Sequence, residues 1–414
     1  MNPDDLNLRH LRAFCEVAAC GSISAASKRV HLSQPAITQA LAKLERALAT
    51  PLFVRSSSGM VPTETGKLIE RRSRRALDFI RAGAQSAQAN HNGRKGGGFM
   101  RFDKLLTGGQ LRALLAVAKA GNFSLAARSV GVSQPSLHRL ARDLERLSGV
   151  ELFVRTARGI DLTPSAEALA RHARLAFAEL QQGFEELDAA RGIDSARLHV
   201  ASLPLARTSI LPLAINALAR LRPDVGVRAA DGSYDDLLRD LRHGEVDILI
   251  GALRDPLPID DVVQTRLFDD RLAIVGRKGH PLAGRRRVSV RDLARFPWVV
   301  PRPGPPTRAQ FEALFAKAGI AVPKGLVEAS SLMLIRGLLT DSDRLTLVSE
   351  HQVQPEIRQG LLESLAFDLA HTARPIGVTV RRDWQPTATQ RLFLELLRGT
   401  SAAAARGGGY SDSE

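Results

Sequence analysis

The sequence predicts a multidomain chain: two all-α-rich winged helix-turn-helix domains, then an α/β domain of two lobes. Three observations predict it. One stretch occurs twice, a hundred residues apart: Gly21–Gly59 reads GSISAASKRVHLSQPAITQALAKLERALATPLFVRSSSG, and Gly121–Gly159 reads GNFSLAARSVGVSQPSLHRLARDLERLSGVELFVRTARG. Aligned without gaps, residues 11–66 and 111–166 agree at 21 of 56 positions. Asn90–Gly98, NHNGRKGGG, is a polar tether that predicts free movement of copy one relative to copy two. From Arg197 onward, short apolar strands alternate with helices, the pattern of a parallel sheet with crossovers. Two copies fall short of the roughly three that a solenoid needs to bury a continuous core.

Each copy can be taken in order. Residues 6–20 and 106–120 carry apolar side chains at core spacing (Leu11, Phe14, Val17; Leu111, Leu114, Val117), predicting a first helix. A short second helix is opened by the caps Ser22 and Asn122, with the small Ala26 and Ala126 where helices cross. His31–Leu32 and Gly131–Val132 form the turn, and Gly131 suits a left-handed residue. Ser33 and Ser133 cap a further helix that tolerates Pro35 and Pro135 in its first turn. Ile37, Leu41, Leu44 and Leu48 keep its buried stripe in copy one, and Leu137, Leu140, Leu144 and Leu147 in copy two. Gln34, Pro35, Thr38 and Gln39 are left facing outward, as are Gln134, Pro135, His138 and Arg139. Side chains of this kind suit base edges in a major groove. Leu52–Arg55 and Leu152–Arg155 predict strands. Ser56–Gly59 and Thr156–Gly159 become wing tips, from which Arg55, Arg155 and Arg158 reach phosphate or minor groove.

Thr63 and Thr163 open long helices, about Thr65–Ala89 and Ser165–Ala190. The first is strongly basic through Arg71, Arg72, Arg74 and Arg75. The second carries Leu169, Ala173, Ala176, Leu180, Phe184 and Leu187 on one face, a stripe that ordinary packing also produces. The net charge is +15, and it is unevenly spread. Lys and Arg outnumber Asp and Glu by 15 to 7 in residues 1–100, 13 to 11 in 101–194, and 30 to 25 beyond. A basic section beside a helix-turn-helix favours phosphate contact; a solvated arginine-rich surface is the bland alternative.

In the C-terminal half, Leu198–Ser202, Val225–Ala229 and Val246–Gly251 read as strands, with a helix through Ala219 and another over Tyr234–Arg242. Asp269–Gly276 reads as one strand entering a second lobe, which adds strands at Trp298–Val300, Leu326–Glu328 and Leu345–Val348. Helices are expected over Thr307–Ala318 and Leu332–Leu339. Residues 375–381 return to the first lobe, Thr387–Leu397 closes it, and 400–414 read as a disordered tail. Ligands of open α/β sheets sit beyond the carboxyl ends of strands. That selects Ser202, Leu203, Gly251, Arg254, Pro301 and Thr307 as effector-binding candidates. Ser202 and Thr307 offer hydroxyls, and the helix starting near Thr307 offers N–H groups to an anion. Both hydroxyls would otherwise serve as caps.

SQPAITQALAKLE…LFVRSSSG and SQPSLHRLARDLE…LFVRTARGIDLT resemble the winged helix-turn-helix of LysR-type transcriptional regulators. The resemblance implies that Gln34, Pro35, Thr38 and Gln39, with Gln134, Pro135, His138 and Arg139, contact DNA. It also implies that the helix after the wing pairs two subunits. The family normally carries the motif once; here it stands twice. Leu211-Pro212, Arg222-Pro223, Gly244–Asp247 and Gly279–Leu282 resemble markers of the family's effector-binding domain, which is similar to periplasmic solute-binding proteins. The expected boundaries are 6–66 and 105–164 for the winged units, 67–104 for the basic helix and linker, 165–191 for a dimerisation helix and 195–398 for the effector domain. The implied function is sequence-specific transcriptional regulation under control of a small anionic metabolite. The implied partners are double-stranded DNA, the effector, copies of the chain in a homodimer or homotetramer, and RNA polymerase.

Catalysis finds no support. The ten His residues show no ligand spacing, and no HExxH, GxSxG or P-loop pattern occurs, so neither metal nor cofactor is expected. Cys15 and Cys20 allow no disulfide framework and read as small hydrophobes in a reducing cytoplasm. MNPDDLNLRH has no apolar signal region, and no stretch approaches the roughly 18 apolar residues that span a bilayer, so a cytoplasmic protein without membrane contact is expected. The pairs Asp260–Asp261 and Asp269–Asp270 are expected as solvated charge. Two other readings compete: a solute-binding protein whose N-terminal units only oligomerise, and a non-specific architectural DNA binder with uniform affinity and a steep salt slope.

Overall fold

The computed structural model describes residues 6–57, 59–90, 99, 101–257 and 259–405. Residues 91–98 of the tether and 406–414 of the tail lie outside the described residues. The chain forms two compact units, one of residues 1–197 with 224–226 and 242–245, the other of the remainder from 198.

Copy one consists of α1 (Leu8–Cys20), α2 (Ile23–Val30), α3 (Gln34–Leu48), β1 (Phe53–Ser56), β2 (Gly59–Pro62) and α4 (Glu64–Ala89). Copy two follows as α5 (Gly108–Ala120), α6 (Phe123–Ser129), α7 (Gln134–Ser148), β3 (Phe153–Thr156), β4 (Gly159–Leu162) and α8 (Pro164–Ala190). The expected caps are in place. Ser22, Ser33 and Thr63 accept from the first turn of their helices, as do Asn122, Ser133 and Thr163. Where copy two uses Gly131 and Gly149 in the left-handed region, copy one holds His31 (φ 52°) and Ala49 (φ 49°) there. A carboxylate fastens each wing to its neighbouring helix: Glu45 accepts from the Leu52 N–H at 2.8 Å, and Glu145 from that of Leu152 at 2.9 Å.

The two copies are packed together, where the tether's composition predicts free movement. α4 packs against α8. Ile69, Ala76, Ile80 and Ala84 share one core with Leu169, Ala173, Ala176 and Leu180. A 3₁₀ turn at Phe102–Lys104 buries Phe102 completely, and Arg12 donates to the Asp103 carbonyl at 2.5 Å. Arg191, just past α8, donates to the Leu48 carbonyl and, at 3.1 Å, to that of Ala49 at the end of α3. Burial of apolar surface, which a tether's composition does not report, decides the matter.

The basic run of α4 turns partly inward: Arg72 is buried and Arg75 half-buried, while Arg71 and Arg74 are exposed. Arg72, 1% exposed, donates to Glu179 at 2.8 Å, Gln182 at 2.9 Å and Glu186 at 2.6 Å. Arg71 pairs with Glu186, Arg75 with Glu179, and Arg74 with Glu70. Carboxylates of α8 and of α4 itself pair all four arginines, of which Arg71 and Arg74 stay exposed.

The second unit contains two five-stranded sheets. Its elements are β5 (Arg197–Ser202), α9 (Ile210–Leu221), β6 (Gly226–Ala230), α10 (Tyr234–Arg242), β7 (Ile248–Ala252), β8 (Val262–Asp270), β9 (Leu272–Arg277), α11 (Val290–Leu293), β10 (Trp298–Val300), α12 (Pro306–Lys317), β11 (Val327–Glu328), α13 (Leu332–Thr340), β12 (Leu345–Ser349), α14 (Glu350–Arg358), β13 (Leu362–Ser364), β14 (Arg374–Arg381) and α15 (Ala388–Ala405). The strand orders are β6-β5-β7-β14-β8 and β11-β10-β12-β9-β13. β5 and β7 run parallel, as expected, but β14 is antiparallel to both its neighbours and β12 to β9, so both sheets are mixed.

Three expectations are corrected here. Asp269–Gly276 is not one strand: β8 ends at Asp270 in the first sheet, and β9 begins at Leu272 in the second. Asp270 is therefore not solvated. It lies buried at the crossing, 2.9 Å from His351 Nδ1 and 3.8 Å from Arg374. The closing helix runs to Ala405, past the expected start of the tail at 400, because Ala402–Ala405 are strong helix formers.

Candidate nucleic-acid interface

The outward faces of α3 and α7 lie where the caps and stripes place them. Ile37, Leu41 and Leu44 are buried, which turns Gln34, Pro35, Thr38 and Gln39 to solvent, all exposed. In copy two, Leu137, Ala141 and Leu144 are buried while Gln134, Pro135 and Arg139 are exposed. Ser33 and Ser133 are exposed but engaged as caps, accepting from the Ala36 and Ser136 N–H groups. Thr38 returns its hydroxyl proton to the Gln34 carbonyl at 3.0 Å, leaving oxygen lone pairs and a methyl to face outward. Gln134 accepts from the Ser124 hydroxyl at 2.8 Å, which aims its amide nitrogen away from α6.

His138 departs from expectation. It is half-buried, its ring stacked on Phe123 with centroids 4.0 Å apart and planes at 25°. The apolar Phe123 also packs on Phe153 of the wing, so the histidine extends an aromatic cluster instead of projecting freely. Arg55, Arg155 and Arg158 are exposed on the wings, as expected. Ser58 of the first wing tip lies outside the described residues.

A further exposed cation lies beside this face. Arg142, exposed on α7, continues the stripe Pro135, His138, Arg139 by another turn. Its i+3 spacing from Arg139 was the available signal. The same station on α3 is Ala42, so the face of copy two is the more basic.

The effector candidates fall into two groups. Ser202 and Gly251 end neighbouring parallel strands, β5 and β7, and are brought together. Ser202 is buried, and its carbonyl accepts from Arg207 at 2.7 Å. The Leu203 side chain covers Gly251, where an added Cβ would come 2.5 Å from Leu203 Cδ1. Arg254 lies over the Tyr234 ring at 4.5 Å. Pro301 and Thr307 stand at the end of β10, in the other sheet. Thr307 is not a cap: Pro305 occupies that position without a side-chain bond, and Pro306 follows it. Two prolines remove N–H donors, so this helix start offers an anion less than the sequence suggests. The lobes meet where the Thr208 hydroxyl faces the His351 carbonyl at 3.4 Å. Among the described residues, no group of His, Cys, Asp and Glu is placed to hold a metal, and no helix is long and apolar enough to cross a membrane.

Comparison with known proteins agrees with this geometry. The model of the bacterial regulatory helix-turn-helix protein, LysR family, matches twice, over residues 8–67 and 109–167. The LysR substrate binding domain model matches residues 191–402. The HTH-type transcriptional regulator GalR of Pseudomonas putida is 35% identical over 375 residues, covering 91% of this chain and 92% of that protein. Among solved structures, a full-length OxyR variant from Pseudomonas aeruginosa shares the fold at 22% identity and TM-score 0.51, covering 70% of this chain and 97% of its own. CbnR, a LysR family transcriptional regulator solved in complex with its target DNA, does so at 23% and TM-score 0.50, covering 70% and 98%. The chain belongs to the LysR family: it is a transcriptional regulator with an N-terminal helix-turn-helix and a two-lobed α/β effector-binding domain, and not an enzyme.

Proposed function

We propose that both winged units, copies of one module, bind duplex DNA sequence-specifically. Copy one does so through Ser33, Gln34, Pro35, Thr38, Gln39 and Arg55. Copy two uses Ser133, Gln134, Pro135, His138, Arg139, Arg155 and Arg158, together with Arg142. The observation that carries this is the exposure of Gln39 and Arg139 at equivalent stations of two capped helices. Glutamine suits adenine and arginine suits guanine, so the two copies prefer different half-sites. His138 acts from its stacked position, presenting one ring edge. CbnR, captured on its target DNA, is the fold relative that supports the reading.

The C-terminal domain works in the manner of a periplasmic binding protein, taking a small anionic metabolite near Ser202, Leu203, Gly251, Arg254, Pro301 and Thr307. Binding shifts the population between two arrangements of the DNA-binding units. Chains associate further into a homodimer or homotetramer and act on RNA polymerase in the cytoplasm. The test is a titration of a promoter fragment against random duplex of equal length at two salt concentrations. A preference of tenfold or more is expected; equal affinity with a steep salt slope makes the protein an architectural binder. Calorimetry with small carboxylates tests the effector site: absent heat, or the same heat for Ser202→Ala, removes it.

A further inference from the structure

We propose that α4 and α8 pair within one chain, that Arg72 enforces this pairing, and that a single chain is therefore a complete two-headed reader of a non-palindromic operator. The operator clause rests on the DNA-binding reading above; the pairing itself does not.

Contacts across the seam recur with the copies exchanged. A Cβ added at Gly83 would lie 2.7 Å from the Cβ of His172 and 3.4 Å from Leu169 Cδ1. A Cβ added at Gly183 would lie 3.1 Å from the Cβ of Arg72 and 3.9 Å from Ile69 Cδ1. Positions 69, 72 and 83 are equivalent in the repeat to 169, 172 and 183. Each contact thus has a counterpart a hundred residues away, which is the signature of a two-fold, isologous interface. Such an interface ordinarily joins identical surfaces between chains. Here it joins unlike surfaces of one chain.

The same equivalence says what each helix would meet in a copy of itself. Arg72 finds Glu179, Gln182 and Glu186 on α8. The corresponding stations of a second α4 are Phe79, Ala82 and Ser86, none of them an anion. A guanidinium that is 1% exposed would then be buried without a carboxylate. Two α8 helices would set Glu179 of each against His172 and Leu175, the stations of Arg72 and Arg75, with burial lowering the histidine's pKa; Arg171, at the station of Arg71, would be left to meet Glu186 by itself. An uncompensated buried charge is costlier than a matched pair, so both self-pairings lose to the unlike pair. Covalent connection adds to this, since a short tether raises the concentration of one helix near the other into the millimolar range. Arg191 then holds the end of α3 against the end of α8.

The consequence concerns the DNA. α3 presents Thr38, Gln39 and Ala42; α7 presents His138, Arg139 and Arg142 at the same stations. A pair built from two unlike faces reads two unlike half-sites.

Chemical cross-linking of an equimolar mixture of isotopically heavy and light wild-type chains tests the pairing directly. Peptides joining α4 to α8 are expected to be all heavy or all light; mixed pairs overturn the proposal. A charge exchange tests Arg72. Arg72→Glu is expected to weaken operator binding by roughly a hundredfold, the scale of a broken buried ion pair. Combining it in one chain with Glu179→Arg and Glu186→Arg is expected to recover most of that loss. Mixing Arg72→Glu chains with Glu179→Arg/Glu186→Arg chains is expected to recover none, and recovery on mixing overturns pairing in cis. Selection from random duplexes reads the last clause: an asymmetric two-part site supports it, and an inverted repeat sinks it. If no specific site emerges, the regulator's DNA assignment fails, while the isotope pattern still judges the pairing.

Discussion

Gly159 lies directly against Gly121: its φ is 134°, and a Cβ there would fall inside contact with the Gly121 carbonyl oxygen. That carbonyl accepts from the neighbouring Ile160 N–H at 2.8 Å, which ties the wing to the corner between α5 and α6. Gly59 and Gly21 stand in the same relation, with Met60 donating at 2.8 Å and φ 111° at Gly59. The two glycines that bound each repeated stretch are thus in touch, and the stretch closes on itself.

Gly159→Ala is expected to displace the wing and cost about 1–3 kcal/mol, the scale of a residue forced into a strained backbone region. Gly337→Ala, in α13 with nothing within 4 Å, is the control and should be neutral or slightly stabilising. Thermal unfolding of both variants checks this. An unshifted Gly159→Ala would mean that the wing is not held by that carbonyl.

Gln39→Ala and Arg139→Ala are each expected to cost about 1–3 kcal/mol at the operator, at different half-sites. Arg142→Ala should instead weaken binding uniformly and reduce the salt slope by about one. Titrations on operators altered in one half at a time distinguish these effects. Should neither Gln39→Ala nor Arg139→Ala change affinity, the recognition faces are wrongly placed.

The α4–α8 seam is expected to loosen in acid. Burial, with Arg171 nearby, holds the His172 imidazole below its usual pKa of 6.5. The unfolded chain then takes up that proton more readily, so stability falls as pH drops below about 6.5. Glu186 adds a second step. Burial opposes its charge, but Arg72 and Arg71 overcome this and hold the carboxyl below 4.5. Its contribution is present above the unfolded value and is lost as pH falls through the folded one. Melting temperature against pH for wild type and His172→Leu measures the first step, which should vanish in the variant. An unchanged acid limb would remove His172 as its source.

Cys15 is expected to stay unreactive. Burial, with Glu70 and other carboxylates nearby, pushes its thiol up to about 12. Cys20 is only half-buried. Alkylation of the native protein near pH 8, followed by peptide mass analysis, should modify Cys20 well before Cys15. The reverse order would show that α1 opens readily.

The outward-facing set on α3 and α7 was legible almost residue by residue, because caps and stripes act within a few residues of themselves. Ser33, Pro35 and the Ile37–Leu48 stripe together leave Gln39 nowhere to point but outward. His138 was misjudged because its partner, Phe123, sits on the preceding helix, a contact that spacing along α7 does not report. Thr307 does not cap its helix for a local reason: Pro305 already occupies that position. Asp270 looked like solvated charge because a chain crossing between two sheets leaves no mark in composition.

By itself, the amino-acid order determined the two winged units, their outward faces, their capped helices and the alternating domain behind them. All of these follow from hydrogen bonds and apolar periodicity over short separations. Tertiary structure alone decided where Arg72 and the stripes of α4 and α8 were spent. An apolar stripe has the same sequence whether its partner lies in another molecule or a hundred residues along the same one, and only the packing of distant segments distinguishes the two.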